Sequence, residues 1–196
     1  DRQNREKQSL LTVTRNDEAR YQQLLAFAQQ ELAALQASLF TGKKDVKKGD
    51  VIGLMGNTGY SFGAHLHFGV YNLSESQANN FSYRSGSSNP FDFLKNRSLD
   101  LDRDACNGNP SNFGNGGWDW PMNNPRISQC YGNTPYSSWF YSNGLHEGVD
   151  MYDNSDLAIR ATDDGVAYSY RGSSSLGNNV RIFHSNGKMT LYLHLQ

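Results

Sequence analysis

The chain has 196 residues and a mass of 22.0 kDa, enough for one sizeable core or one compact domain plus an appendage, and too little for two full domains. A formal net charge of −1, a pI near 6.6 and lysines and arginines scattered along the sequence leave no electrostatic footprint for nucleic acid. No apolar run approaches the roughly 18 residues of a membrane span, and no signal-peptide pattern is present, so neither a membrane span nor a targeting segment is expected in this chain.

Residues 1–40 lack glycine and proline and are rich in Gln, Glu, Ala, Leu and Arg, which predicts one long amphipathic helix. Leu11, Thr14, Glu18, Tyr21, Leu25, Ala28, Leu32, Leu35 and Leu39 occupy heptad a and d positions, a seam that grows more apolar toward its C-terminal end. Such a helix needs a partner surface. A coiled-coil partner or a homodimer through residues 7–40, a spacer arm, and a lid over the following domain all fit this pattern.

From residue 41 the texture turns to short alternating runs split by Gly, Asn, Asp and Ser, which reads as β structure. "VIGLMGNTG" (51–59) reads as a strand and a glycine-rich turn, and "AHLHFGVY" (64–71) as a second strand. A Ser/Asn-rich loop follows over 72–89, then a closing turn, "NPFDFL". Residues 95–117, including "CNGNPSNFGNGG", have linker composition. "RISQCYG", "AIRATDDGVAYSY", "NNVRIFHSNG" and "KMTLYLHLQ" are further strands, with Asp-Gly and Asn-Gly as hairpin turns. Cys106 and Cys130 form no CxxC pair, which excludes a zinc ribbon, and one disulfide or two free thiols are equally compatible with the spacing.

The histidines carry the chemistry. In a strand alternate residues share a face, so His65 and His67 point together while Leu66 and Phe68 point to the core. Both can reach one small site, as two ligands or as one ligand with a neighbour. In "LHEGVDMY" the even spacing places His146, Gly148 and Asp150 on one face and Val149 and Met151 inward. In "KMTLYLHLQ" His194 alternates with Leu191, Leu193 and Leu195, which predicts a histidine on the side opposite the leucines, facing a polar cleft. His184 precedes an Asn-Gly turn and reads as a packing residue. Two histidines and a carboxylate make a catalytic zinc set with one position open, and no cysteine lies beside these motifs to close a structural shell.

These residues resemble the lysostaphin/LytM-type zinc metalloendopeptidases, whose marks are HxxxD, a later YxHL and a final HxH usually written "PHLHFE". The resemblance implies an antiparallel, mainly β peptidase domain, here α+β overall because of the preceding helix. It implies one zinc ion per chain held by His146, Asp150 and His67, with His65 and His194 as the catalytic pair, and a peptidoglycan peptide as substrate. It further implies a bacterial cell-envelope location, whether periplasmic, cell-wall or secreted. It extends to "WPMNNPRISQCYG", "IRATDDGVAY", "VKKGDVIGLMGNTG" and "NPFDFL". Two positions depart from the pattern: Leu145 replaces a glycine, and Gly69 stands where an acid is common.

The motif order also departs. HxH comes at 65–67 and HxxxD at 146–150, the reverse of the family order. Reading 118–196 and then 42–94 restores that order, as a circular permutation would. The expected organisation is a helix over 1–40, the C-terminal half of the peptidase domain over 41–94, a linker joining the old termini over 95–117, and the N-terminal half over 118–196. Gln196 is then expected close to residues 40–46. The alternative expectation is a catalytically silent or self-inhibited cell-wall binding or activator domain acting through its helix.

Overall fold

The computed structural model describes residues 18, 20–22, 42–108, 110 and 112–196. Residues 18 and 20–22 are helical; the rest of the expected helix over 1–40, with its heptad seam, lies outside the described residues.

The body is an antiparallel sheet. In chain order the strands are β1 (Gly42–Val46), β2 (Val51–Leu54), β3 (Leu66–Tyr71), β4 (Ser87–Ser88), β5 (Arg97–Ser98), β6 (Asn112–Phe113), β7 (Arg126–Gln129), β8 (Val149–Tyr152), β9 (Ala158–Arg160), β10 (Gly165–Ser173), β11 (Gly177–Phe183) and β12 (Met189–Leu195). Eight of them form one sheet in the order β1-β10-β11-β12-β3-β8-β7, with β4 also pairing β3; β2 pairs β9 and β5 pairs β6. Among the described residues from 42 onward, helical structure is limited to two 3₁₀ segments, Glu75–Asn80 and Pro90–Asp92, and one turn of α-helix, Ser137–Phe140.

Both faces of the sheet's centre are covered, so β3 and β12 are buried along their whole length rather than alternating. On one face Leu66, Phe68 and Val70 pack with Ile127, Val149, Met151, Ile182 and Tyr192 in the main core. On the other, Tyr71, Met189, Leu191 and Leu193 form a smaller cluster under Leu73, Ala78, Phe81 and Tyr83 from the 72–89 loop. Each of these fully buried large side chains contributes about 1.5–3 kcal/mol.

The Asn186-Gly187 pair makes the expected hairpin between β11 and β12, with Gly187 at φ +77°. The Asp164-Gly165 pair does not make one, because β9 and β10 on its two sides belong to different sheets. Gly165 serves close approach instead: a Cβ there would sit 2.6 Å from Phe183 O and from Ile182 Cγ2.

The described residues of 95–117 are tied to the body of the fold, despite their polar composition. Cys106 is disulfide-bonded to Cys130, Ala105 and Phe113 are buried, and Leu101 bridges Ile127. Buried residues and backbone pairing anchor them where polar composition alone suggests solvent.

The two halves meet within one chain, since β12 pairs β3 from Met189↔Tyr71 to Leu193↔His67. Of the residues expected close to Gln196 only 42–46, in β1, are described, and Gln196 itself ends beside β2. Its N–H donates to Leu54 O (3.1 Å) and its side-chain amide to Met55 O (3.1 Å). β1 is instead three strands away across the sheet, about 14 Å at ordinary strand spacing.

Candidate metal centre

β3 and β8 lie side by side with His67 opposite Asp150 and Phe68 opposite Val149, so pairing register delivers an imidazole and a carboxylate to one face. His146 reaches them from just before β8, fixed by an antiparallel bridge to Gly132 with bonds of 2.8 and 2.9 Å. His67 Nδ1 lies 2.8 Å from Asp150 Oδ1 and 3.0 Å from His146 Nε2, and His146 Nε2 lies 3.2 Å from Asp150 Oδ1. Gly148, between the two residues of the HxxxD motif, is required by packing: a Cβ there would sit 2.5 Å from His67 Nε2.

For His146, His65 and His194 the tautomer follows from a second partner, because a carbonyl oxygen can only accept. His146 Nδ1 donates to Cys130 O (2.8 Å), which leaves Nε2 bare toward His67 and Asp150. His65 Nδ1 donates to Gly63 O and His194 Nδ1 to Thr58 O, both at 2.8 Å, so both present Nε2. Their rings are 4.8 Å apart, and His65 Nε2 is 3.6 Å from Asp150 Oδ2. His67 Nε2 faces the Tyr83 hydroxyl at 3.4 Å.

His194 reaches the site by a route that strand parity did not predict. Leu191 and Leu193 lie on the face that carries His67, and regular alternation would turn His194 to the opposite side with Thr190 and Tyr192. A bulge in the pairing with β11, between Asn178 and Val180, and a left-handed backbone at His194 (φ +64°) swing its ring into the site. The same shift moves Leu195 into the main core beside Tyr192. A non-glycine residue at such a φ costs about 1–3 kcal/mol, a cost met most often at functional sites. The site thus gathers four of the five histidines. The fifth, His184, stays away: it donates from Nδ1 to Asp164 O (2.8 Å), meets the Thr190 hydroxyl at Nε2 (2.9 Å) and lies tilted against the Trp118 ring, 4.7 Å between centroids.

The electrostatics suit a cation. Burial alone would push Asp150 up, but His146 and His67 together hold its carboxyl well below the usual carboxylate range. Burial draws His67 down despite the Asp150 carboxylate. For His146 burial is again the largest influence, yet the charge of Asp150 and the bonds to Asp150 and Cys130 O outweigh it and raise the pKa. Burial lowers His194 to about 4, so it is neutral at neutral pH.

The donor set fits a metal ion. Two nitrogens and one carboxylate oxygen converge within the 2.8–3.2 Å separations given above, and a tetrahedral ion with bonds of about 2.0–2.1 Å sets its ligands about 3.3 Å apart. A groove of about 810 Å³ opens over the cluster. Its walls include Tyr83 and Arg84 from the 72–89 loop and Tyr136, Phe140 and Tyr141 from the segment before His146. Tyr60 and Phe62 continue the rim, with Phe62 5.3 Å from Tyr60 and 5.4 Å from Phe140.

Sequence reasoning missed Tyr83, which sits in a Ser/Asn-rich loop with no periodicity to flag it. It also missed the carbonyls of Gly63, Thr58 and Cys130, which leave no trace in side-chain identity.

No curated protein and no solved structure matches this chain. The sequence profile of peptidase family M23 matches residues 13–80, about a third of the chain, a stretch that contains His65 and His67 and stops short of His146, Asp150 and His194. Over residues 13–80 the chain is thus similar to peptidase family M23, and beside that similarity stand a mostly antiparallel β body and a His-His-Asp cluster able to hold a metal ion.

Proposed function

We propose that this chain is a zinc-dependent endopeptidase that hydrolyses peptide cross-links of bacterial peptidoglycan. The observation that carries the reading is the convergence of His67 Nδ1, His146 Nε2 and Asp150 Oδ1 beneath an open groove, with two further imidazoles beside them. His67, His146 and Asp150 would hold one zinc ion. Zinc held there supplies Lewis acidity, acidifying an attacking water and polarising an amide carbonyl.

The chain's own groups do the rest. His65 and His194 have Nδ1 tied to main-chain carbonyls, so Nε2 is the working nitrogen of each. One Nε2 takes a proton from the attacking water and passes it to the leaving amine as the C–N bond breaks, while the other imidazole, in its protonated form, hydrogen-bonds the oxyanion from Nε2 and keeps its proton. Burial of His194 keeps it neutral and able to accept. The aromatic walls lay an extended peptide over the cluster and keep water from its far side. The Cys106–Cys130 disulfide is in keeping with an oxidising, cell-envelope location.

Circular permutation remains part of this reading, supported by the motif order and by the intrachain pairing of β12 with β3. A chain reordered as 95–196, a linker of about six residues and then 42–94 is expected to fold and bind zinc, since about six extended residues span the distance from Gln196 to β1.

The activity test is digestion of purified sacculi of two cross-link types, with chelator and then with zinc restored, and products identified by mass spectrometry. Chelator-sensitive cleavage of one cross-link is the expected outcome. Absence of any such product from either type would overturn the enzyme reading and leave a cell-wall binding or activator role.

A further inference from the structure

We infer that Tyr83 is a positioning residue for the metal site, its hydroxyl holding His67 in the orientation and tautomer that presents Nδ1 to the ion. The inference rests on the reading that His67, His146 and Asp150 hold zinc.

His67 differs from its neighbours in how it is held. The outward nitrogens of His146, His65 and His194 are each fixed by a main-chain carbonyl at 2.8 Å. The outward Nε2 of His67 meets a side chain instead, the Tyr83 hydroxyl at 3.4 Å, with the two rings 5.6 Å apart. The difference matters because Nδ1 of His67 faces both a carboxylate oxygen and a bare nitrogen. Without a cation, a proton on Nδ1 satisfies Asp150, and the Tyr83 hydroxyl can donate to Nε2. With a cation bound, Nδ1 must offer a lone pair, the proton moves to Nε2, and the same hydroxyl accepts it. A carbonyl could serve only the second state, whereas a hydroxyl serves both.

Tyr83 is itself held in place. The Tyr71 hydroxyl donates to Tyr83 O (2.9 Å). The Tyr71 ring fits because residue 69 is glycine: a Cβ there would lie 2.9 Å from Tyr71 Cε2. The Tyr71 ring meets Phe81 edge-on at 5.2 Å, and Phe81 lies on the Arg181 guanidinium, which also stacks on Tyr170. These contacts tie the 72–89 loop to β3, β10 and β11, so a residue outside the regular ladder is placed as firmly as one within it. Gly69, the position where the related motif carries an acid, thus serves the tyrosine that supports the neighbouring ligand.

The test uses the full chain and its Tyr83→Phe and Tyr71→Phe variants. Zinc affinity is measured by competition with a chromophoric chelator, the His67 tautomer by long-range ¹H–¹⁵N correlation of the zinc-loaded protein, and folding by thermal unfolding. Y83F is expected to bind zinc about 10–100-fold more weakly, to broaden or shift the His67 Nε2–H signal, and to keep the parent's metal-free melting temperature. Y71F, remote from the ion, is expected to weaken binding in the same direction by less. Parent-like affinity and tautomer in Y83F would overturn the inference while leaving the zinc site standing. A parent that binds zinc no better than His146→Ala would overturn the site reading and this inference with it.

Discussion

His67 and Asp150, 83 residues apart in sequence, are directly opposite each other on β3 and β8, with Nδ1 and Oδ1 separated by 2.8 Å. Neither strand makes the site alone, because the pairing register does. Asp150→Ala removes the carboxylate that both imidazoles face and leaves their lone pairs without a counter-charge for a dication. Zinc affinity in this variant is expected to fall at least about 100-fold and sacculus hydrolysis to vanish, with the β-sheet circular dichroism retained. Isothermal titration with zinc checks it, and parent-like affinity would refute the ligand assignment.

Gly148→Ala tests the packing behind that geometry. The added methyl would lie 2.5 Å from His67 Nε2 and 2.6 Å from Phe68 O. One neighbour is the ring of the proposed ligand and the other is main chain, so neither can yield cheaply. Overpacking of this kind costs about 1–3 kcal/mol, and the displaced imidazole should take zinc affinity down with it. Chemical denaturation of the metal-free variant and a zinc titration report the two effects separately. A variant as stable and as tight-binding as the parent would mean that the ring has room to move.

Much of this site was legible from strand periodicity. The two-residue repeat correctly put Leu66, Phe68, Val149 and Met151 in the core, and His67 and Asp150 on the other face. It failed at His194, where a bulge breaks the repeat; a left-handed residue inside a leucine-rich strand has no signature when that residue is a histidine. Composition likewise gave no sign of how 95–117 is held, because a disulfide and a few buried residues can pin down an otherwise polar segment. Tyr83 was invisible for a third reason: its partner is brought to it by loop geometry, which neither spacing nor composition encodes.

The groove rim offers substrate contacts separable from stability. Phe62 is 77% and Tyr60 63% exposed, so truncation removes little buried area. Phe62→Ala and Tyr60→Ala are expected to change unfolding free energy by less than about 0.5 kcal/mol, while raising KM for a cross-linked muropeptide more than they lower kcat. Unchanged KM in both would remove the rim from substrate binding.

His184 gives the fold a pH dependence that the metal site does not control. Burial holds its pKa below the ordinary histidine value, against the pull of the Asp164 carbonyl and the nearby Asp163 and Asp164 charges. The unfolded imidazole therefore takes a proton before the folded one does. The stability it contributes is fully present above about pH 6.5, the unfolded value, and declines as the pH falls below it. His194 adds a slope of the same sign down to its own value of about 4, so the comparison must be between variants. Urea midpoints of the metal-free protein from pH 7.5 to 5 should fall less steeply in His184→Gln than in the parent. Equal slopes would mean that His184 takes up its proton in the folded state as readily as in the unfolded one.

The Cys106–Cys130 disulfide links the 95–117 segment to the residue whose carbonyl orients His146. Cys130 O accepts from His146 Nδ1 (2.8 Å), and Cys130 N–H donates to Ala105 O (2.8 Å), so one residue joins the cross-link, the packed segment and the ligand. The bond spans 24 positions, and closing a loop of that length stabilises the fold by about 3 kcal/mol in the chain-entropy account. Reduction should therefore lower the melting temperature by several degrees. It should also weaken zinc binding, because the Cys130 carbonyl would lose part of what fixes it against the imidazole. A Cys106→Ala/Cys130→Ala variant should reproduce both effects and be insensitive to reductant, which separates loss of the cross-link from thiols competing for the metal. If the reduced protein and the double variant both melted like the oxidised parent and bound zinc as tightly, β7 and the Gly132–His146 bridge alone would be enough to hold the ligand.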